Sequence, residues 1–159
     1  PGDALVPVQL VTAIDDTVIL LGEEARMRQV EIHFEHPEHP IWIQGDNAEL
    51  RQVFVNLLHN AMHAMKQGGG VRVEIETSNA SLVLIRVSDT GAGIPPENLS
   101  RIFLPFFSRR ADGQAGMGLG LAVCKSIIDR CGGTIAVASE LGKNTVFTIT
   151  LPLALGVSS

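Results

Sequence analysis

Two runs near the middle of the chain restrict its fold more than any other feature. VRVEIET (71–77) and LVLIRVSD (82–89) both alternate side chains with a period of two, the pattern of half-buried strands. Ser78-Asn79-Ala80 joins them, a connection short enough to predict an antiparallel pair. The tail repeats the arrangement, with TIAVAS and TVFTITLP flanking a turn at ELGKN. Nearer the start, QVEIHFE sets Val30, Ile32 and Phe34 against Glu31, His33 and Glu35. HPEHP then breaks the strand, and IWI forms a short further one. Strands grouped in neighbouring pairs predict a mixed or antiparallel sheet that must bury one face.

Helical periods supply the cover. Leu10, Ile14, Val18, Leu21 and Ala25 recur at steps of four, four, three and four, predicting a helix over about 7–28 with Pro7 in its first turn. Asp46 starts the next helix, with Glu49 three residues on as a capping box. That helix runs through NLLHNAMHAM and ends at Gly68-Gly69-Gly70. PENLSRIF is a short helix opened by proline, residues 104–117 are irregular, and a last helix spans about Leu119 to Cys131 before Gly132-Gly133. The order α-β-β-α-β-β-α-β-β predicts an α+β protein. Its architecture is a two-layer sandwich, one domain over 1–159, with a mixed, mostly antiparallel sheet and the helices on one face.

Hydrophobic residues at 45% and charged ones at 18% are the balance of a soluble globular domain. A net charge of −5 argues against a broad nucleic-acid or anionic-membrane surface. No apolar run approaches the roughly 20 residues a membrane span needs. The opening PGDALVPVQL lacks an initiator Met and reads as a cut inside a larger protein. Cys124 and Cys131 lie seven apart on the last helix, about 10 Å at 1.5 Å per residue, too far for a disulfide. They read as small core residues in a reducing compartment.

Four segments carry chemistry. In NLLHNAMHAM, Leu57, Leu58, Ala61, Met62, Ala64 and Met65 form an apolar face, yet Asn56, Asn60 and His63 share one narrow stripe. His59 faces away from that stripe. In GMGLGLAV, Gly116, Gly118 and Gly120 stand before a helix, where backbone N–H groups and the helix dipole can hold an anion. Turn geometry alone also accumulates glycines, and neither a G-x-x-x-x-G-K-[ST] loop nor a Rossmann fingerprint occurs. In SDTGAGIPP, Asp89 ends a strand beside Gly91 and Gly93. Such a carboxylate serves either an Asx-type turn or an exocyclic amine such as adenine's. Between them FLPFFSRR offers an apolar wall with Arg109 and Arg110 as cations. The histidines of HFEHPEHP lie on a strand and a Pro-rich turn, without the ligand geometry of a metal site.

Together these segments resemble the catalytic ATP-binding domain of bacterial two-component sensor histidine kinases, within the gyrase, Hsp90 and MutL fold group. Four blocks occur in the family's order over nearly the whole chain. ELRQVFVNLLHNAMHAM is similar to the N box, SDTGAGIP to the first glycine box, FLPFFSRR to the F box and GMGLGLAV to the second glycine box. The tail GGTIAVASELGKNTVFTITLP is similar to the closing hairpin, with GKNT where relatives often carry Gly-x-Gly-Thr. The short lid Ser108 to Ala115 after PFF resembles the nitrogen-, oxygen- and dicarboxylate-sensing subgroup.

The resemblance implies a Bergerat-type fold binding ATP and Mg²⁺. Asn60 would be the metal ligand, and Asn56 would support the metal and phosphates. Asp89 would accept from the adenine amine, with Gly91, Gly93 and Ile94 shaping the base pocket. Gly116, Met117, Gly118, Leu119, Gly120 and Leu121 would meet the phosphates. Phe103 and Thr148 would line the adenine end, and Arg109 or Arg110 would reach the γ-phosphate as a catalytic cation. His63 stands where many relatives carry a phosphate-contacting Lys or Arg, and a neutral imidazole supplies less charge.

The implied reaction is phosphoryl transfer to a histidine. Asn56 stands where ATPases of the fold group place a water-activating Glu, and a carboxamide is a poor base. The phosphoacceptor His motif is absent. The implied partners are therefore a phosphoacceptor histidine domain of the same kinase and a response regulator receiver domain. The fragment is expected to be monomeric, without nucleic-acid or direct membrane contact, the cytoplasmic part of a homodimeric, membrane-anchored parent. The alternatives are a Ser/Thr protein kinase of the same fold group, of anti-sigma-factor type, and a catalytically idle nucleotide-binding or docking module.

Overall fold

The computed structural model describes residues 5–78, 81–105 and 120–154. Among these, seven strands and three α-helices follow in the order β1 (Val6–Gln9), α1 (Leu10–Met27), β2 (Val30–Phe34), β3 (Trp42–Gly45), α2 (Asn47–Ala64), β4 (Gly69–Thr77), β5 (Leu82–Asp89), α3 (Gly120–Arg130), β6 (Thr134–Glu140) and β7 (Asn144–Pro152). A 3-10 turn, Pro96–Asn98, is all the helix that PENLSRIF forms among the described residues. The main sheet has the order β2-β4-β5-β7-β6, and every pair in it is antiparallel except β2 with β4. The mixed, mostly antiparallel sheet is therefore as expected.

Two expectations fail near the start. Pro7 does not open a helix. It lies in β1, which pairs antiparallel with β3 as a separate two-stranded sheet. A proline is tolerated in so short a ribbon, where a strand has an unpaired side for the missing N–H. The helix begins three residues later, capped by Gln9, whose side chain accepts from the Val11 N–H at 2.9 Å. β2 and β3, neighbours in sequence, are not neighbours in space either. β2 instead pairs parallel with β4, and a parallel pair requires a crossover, which α2 supplies.

The sheet buries one face. In β5, Val83, Ile85, Val87 and Asp89 point inward, and in β7 so do Thr145, Phe147, Ile149 and Leu151. The opposite face is solvated and carries ion pairs such as Arg72–Glu35 and Arg86–Glu76. α2 lies against the inner face through Leu50, Phe54, Leu57, Leu58 and Met62, all at most 1% exposed. Asp46 caps it, accepting from the Glu49 N–H at 3.0 Å. The reciprocal half of the predicted capping box is replaced, because the Glu49 carboxylate pairs with Arg130 of α3. α2 stops at Ala64, short of the glycines. Gly69 and Gly70 already belong to β4, and Gly68, at φ +87, makes the turn between. Both cysteines are free and buried.

Candidate functional site

The stripe on α2 organises the site. Asn56 donates from Nδ2 to the Gly120 carbonyl at 3.0 Å and accepts from Gln52 Nε2 at 2.8 Å. It thereby ties α2 to the first residue of α3. Two turns later the Ala64 carbonyl accepts from the Ala92 N–H at 3.1 Å. Asn60 sits midway, four residues from each, or about 6 Å along the axis in either direction. It is only 5% exposed, one of few polar side chains buried among the described residues. Its carboxamide lies between the two backbone anchors of the helix.

The loop after β5 is clamped on both sides. Asp89, 4% exposed, accepts from the Gly91 N–H at 2.9 Å through Oδ1, an Asx-type closure. The turn reading of Asp89 is the one this bond realises. A Cβ at Gly91 would lie 2.7 Å from the Ala64 carbonyl oxygen, so only glycine lets the loop lie on the end of α2. Gly93 takes φ +77, and a Cβ there would meet the Glu140 carbonyl oxygen at 2.4 Å. Ile94 is 1% exposed, and its N–H donates to Ser139 Oγ at 2.7 Å.

Phe103 packs edge-on to Phe147, centroids 6.1 Å apart, on the same inner face. Thr148 does not join them. It lies one residue beyond Phe147 in a strand and so faces the outer side of the sheet, opposite Arg86 in register. The hydroxyl that accompanies Asp89 is Thr145, its direct cross-strand partner, 3% exposed and 2.9 Å from Ser139 Oγ. Sequence reading passed over Thr145 and Ser139. The parity was available, because Phe147, Ile149 and Leu151 assign Thr145 to the apolar face.

His63 also has a setting the sequence did not reveal. Its Nδ1 lies 2.7 Å from the His59 carbonyl, and its Nε2 lies 3.4 Å from Arg28 Nη2, just past the end of α1. His59 does not face away from the stripe as expected: its ring lies edge-on to that of His63, centroids 6.2 Å apart, and its Nε2 meets Glu24 of α1 at 3.1 Å. Leu121 turns into the core at 5% exposure. Arg109, Arg110, Gly116, Met117, Gly118 and Leu119 lie outside the described residues. Among the described residues no group of three or more His, Cys, Asp or Glu side chains could hold a metal, and no helix is long and apolar enough to cross a membrane. A groove of about 550 Å³ between α1 and α2, lined by Asp16, Thr17, Leu20, Arg51, Gln52 and Val55, contains neither Asn60 nor Asp89.

Known proteins share both the pattern and the fold. The chain is 42% identical over 146 residues to the sensor histidine kinase ZraS of Salmonella typhimurium, covering 92% of this chain and 31% of that protein. It is 38% identical to sporulation kinase E of Bacillus subtilis over 87% of this chain and 18% of the relative. The chain thus spans less than a third of these curated relatives. Among solved structures, the nucleotide-free catalytic domain of histidine kinase ThkA matches with a TM-score of 0.81 at 28% identity, over 93% of this chain and 95% of that one. Full-length ShkA in complex with AMPPNP matches with a TM-score of 0.82 at 29% identity, over 97% and 32%. Residues 45–155 match the family described as Histidine kinase-, DNA gyrase B-, and HSP90-like ATPase. They hold α2, the Asp89 loop, α3 and the closing hairpin, and the chain belongs to this family.

Proposed function

We propose that this domain binds Mg·ATP between α2, the Asp89 loop and the start of α3, and passes the γ-phosphoryl group to a histidine on another domain of its parent kinase. The observation that carries the reading is Asn60, a buried carboxamide midway between the two contacts by which α2 holds Gly120 and Ala92. Asp89 is the adenine-amine acceptor, with Thr145 in place of Thr148 beside it and Phe103 and Ile94 as the apolar wall. The similar fold of ShkA, whose structure holds AMPPNP, supports a nucleotide-binding reading.

The donor set suits Mg²⁺ held chiefly by substrate. A single carboxamide oxygen, with no carboxylate or imidazole cluster among the described residues, is too little for a protein-only site. It is enough for an ion that draws its other ligands from phosphates and water. Bound there, the ion would neutralise charge on the transferring group. Asn60 would hold it, Asn56 keeps α2 and α3 in register, and neither can act as a base for water. The acceptor imidazole is its own nucleophile. Its Nε2 forms the N–P bond as the bond to the bridging oxygen breaks, and ADP leaves with the electron pair. The response regulator receiver domain is the downstream acceptor.

The test adds the parent's separate phosphoacceptor domain and labelled ATP to the chain. Acid-labile phosphohistidine is the expected product. Acid-stable phosphate, or ATP binding with no transfer, would refute the reading. Asn60→Ala should abolish Mg²⁺-dependent transfer while the cooperative unfolding transition persists.

A further inference from the structure

Four residues close a ring between α1 and α2. Arg28 Nε donates to Glu24 Oε2 at 3.1 Å, and Glu24 Oε1 faces His59 Nε2 at 3.1 Å. The His59 carbonyl meets His63 Nδ1 at 2.7 Å, and His63 Nε2 lies 3.4 Å from Arg28 Nη2. The partners settle the tautomer. A carbonyl only accepts, so Nδ1 of His63 carries the proton, and a guanidinium only donates, so Nε2 presents its lone pair. His63 is therefore a neutral ring whose outer nitrogen is an acceptor. It lies three residues beyond Asn60 on the same face of α2, so it belongs to the stripe that would look onto the phosphates.

An acceptor nitrogen offers nothing to a polyphosphate. The guanidinium behind it does, with five donors and a permanent charge, of which Glu24 takes one and His63 another. Glu24 is itself engaged by two donors. Burial raises its pKa, the bonds from His59 and Arg28 lower it, and the net shift is downward, so it stays ionised and holds Arg28 in place.

We infer that Arg28, reaching from the end of α1, is the phosphate-binding cation of the α2 stripe, and that His63 is the neutral bearing that aims it. This rests on the nucleotide reading above. It extends the site to α1, outside the segment the family match covers.

Affinities of the 159-residue chain for ATP, ADP and AMP provide the test. Arg28→Ala should weaken ATP about tenfold, ADP less and AMP hardly at all, the loss following the charge of the ligand. Arg28→Gln, which keeps a donor for Glu24, serves equally if alanine loosens the end of α1, and the thermal midpoint of each variant identifies that case. In a His63→Lys background, where α2 carries its own cation, the same change should cost less than about twofold. Equal losses for all three nucleotides in a folded variant, or an undiminished loss beside Lys at that position of α2, would overturn the inference alone. Failure of the unaltered chain to bind ATP would remove the nucleotide reading and this inference with it.

Discussion

Replacing Gly93 by alanine separates two costs that usually arrive together. The residue sits at φ +77, where an L side chain costs roughly 1–2 kcal/mol. Its new Cβ would lie 2.4 Å from the Glu140 carbonyl oxygen and 2.9 Å from Leu141 Cα. Both are backbone atoms, so no rotamer change relieves the contact, and overpacking of this kind costs about 1–3 kcal/mol. Pushing the β6–β7 turn away also strains the Gly142 N–H to Ala92 carbonyl bond of 2.6 Å, worth about 0.5–1.5 kcal/mol. Together these come to about 2.5–6.5 kcal/mol, a large share of the roughly 5–15 kcal/mol that holds a domain folded. Gly142 is the control. Its φ is +83 but a Cβ there meets nothing within 4 Å, so Gly142→Ala should show the strain alone, about 1–2 kcal/mol. Urea denaturation of both variants, with slopes compared, gives the difference directly. Equal destabilisation of the two, within about 0.5 kcal/mol, would refute the claim that the loop is held by close backbone packing.

Three further outcomes rest on the same structure. Gly22 lies exposed inside α1 with nothing within 4 Å of a Cβ, so Gly22→Ala should stabilise by about 0.5–1 kcal/mol and leave ATP affinity unchanged; a loss of stability would contradict the open setting. Burial pushes the Cys124 thiol from 9.0 up to about 12. The folded state then keeps a proton that the unfolded chain loses. Stability from this group is whole below about pH 9 and falls toward pH 12, by up to about 1.4 kcal/mol per unit. Denaturation curves between about pH 8 and 10.5 should show that slope reduced in Cys124→Ala, and identical slopes would dismiss it. Trp42 has a buried indole N–H with no hydrogen-bond partner among the described residues. Leaving such a donor unpaired costs about 1–3 kcal/mol, which offsets the smaller ring of Trp42→Phe, so thermal melts should show stability held or raised; a loss above about 2 kcal/mol would mean the nitrogen is paired.

Periodicity made most of the elements legible. The α1 positions Leu10, Ile14, Leu21 and Ala25 are all buried as their spacing predicts, and Asp46 caps α2. The pair β4–β5 and the closing hairpin β6–β7 also follow from local pattern, because a hairpin partner is the nearest strand in the chain. The four motif blocks, read in order, led to the family to which the chain belongs. Strand alternation also assigns Thr148 to the outer face, since Phe147 and Ile149 on either side of it are buried.

Other features leave no local trace. Nothing in VEIHF says that its partner starts at Gly69 rather than at Trp42, because strand pairing is decided by where the crossover helix packs. Nothing in VPVQ separates a strand from the first turn of a helix until β3 lies alongside it. Glu24 and Arg28 belong to no motif in the sequence. They acquire meaning only when α1 comes to rest against α2, bringing Arg28 to a histidine thirty-five residues away. Local pattern is set by which side chains must leave water, and each element announces that for itself. Which polar groups then meet across the packed faces depends on the angle and register of that packing, which no single element contains.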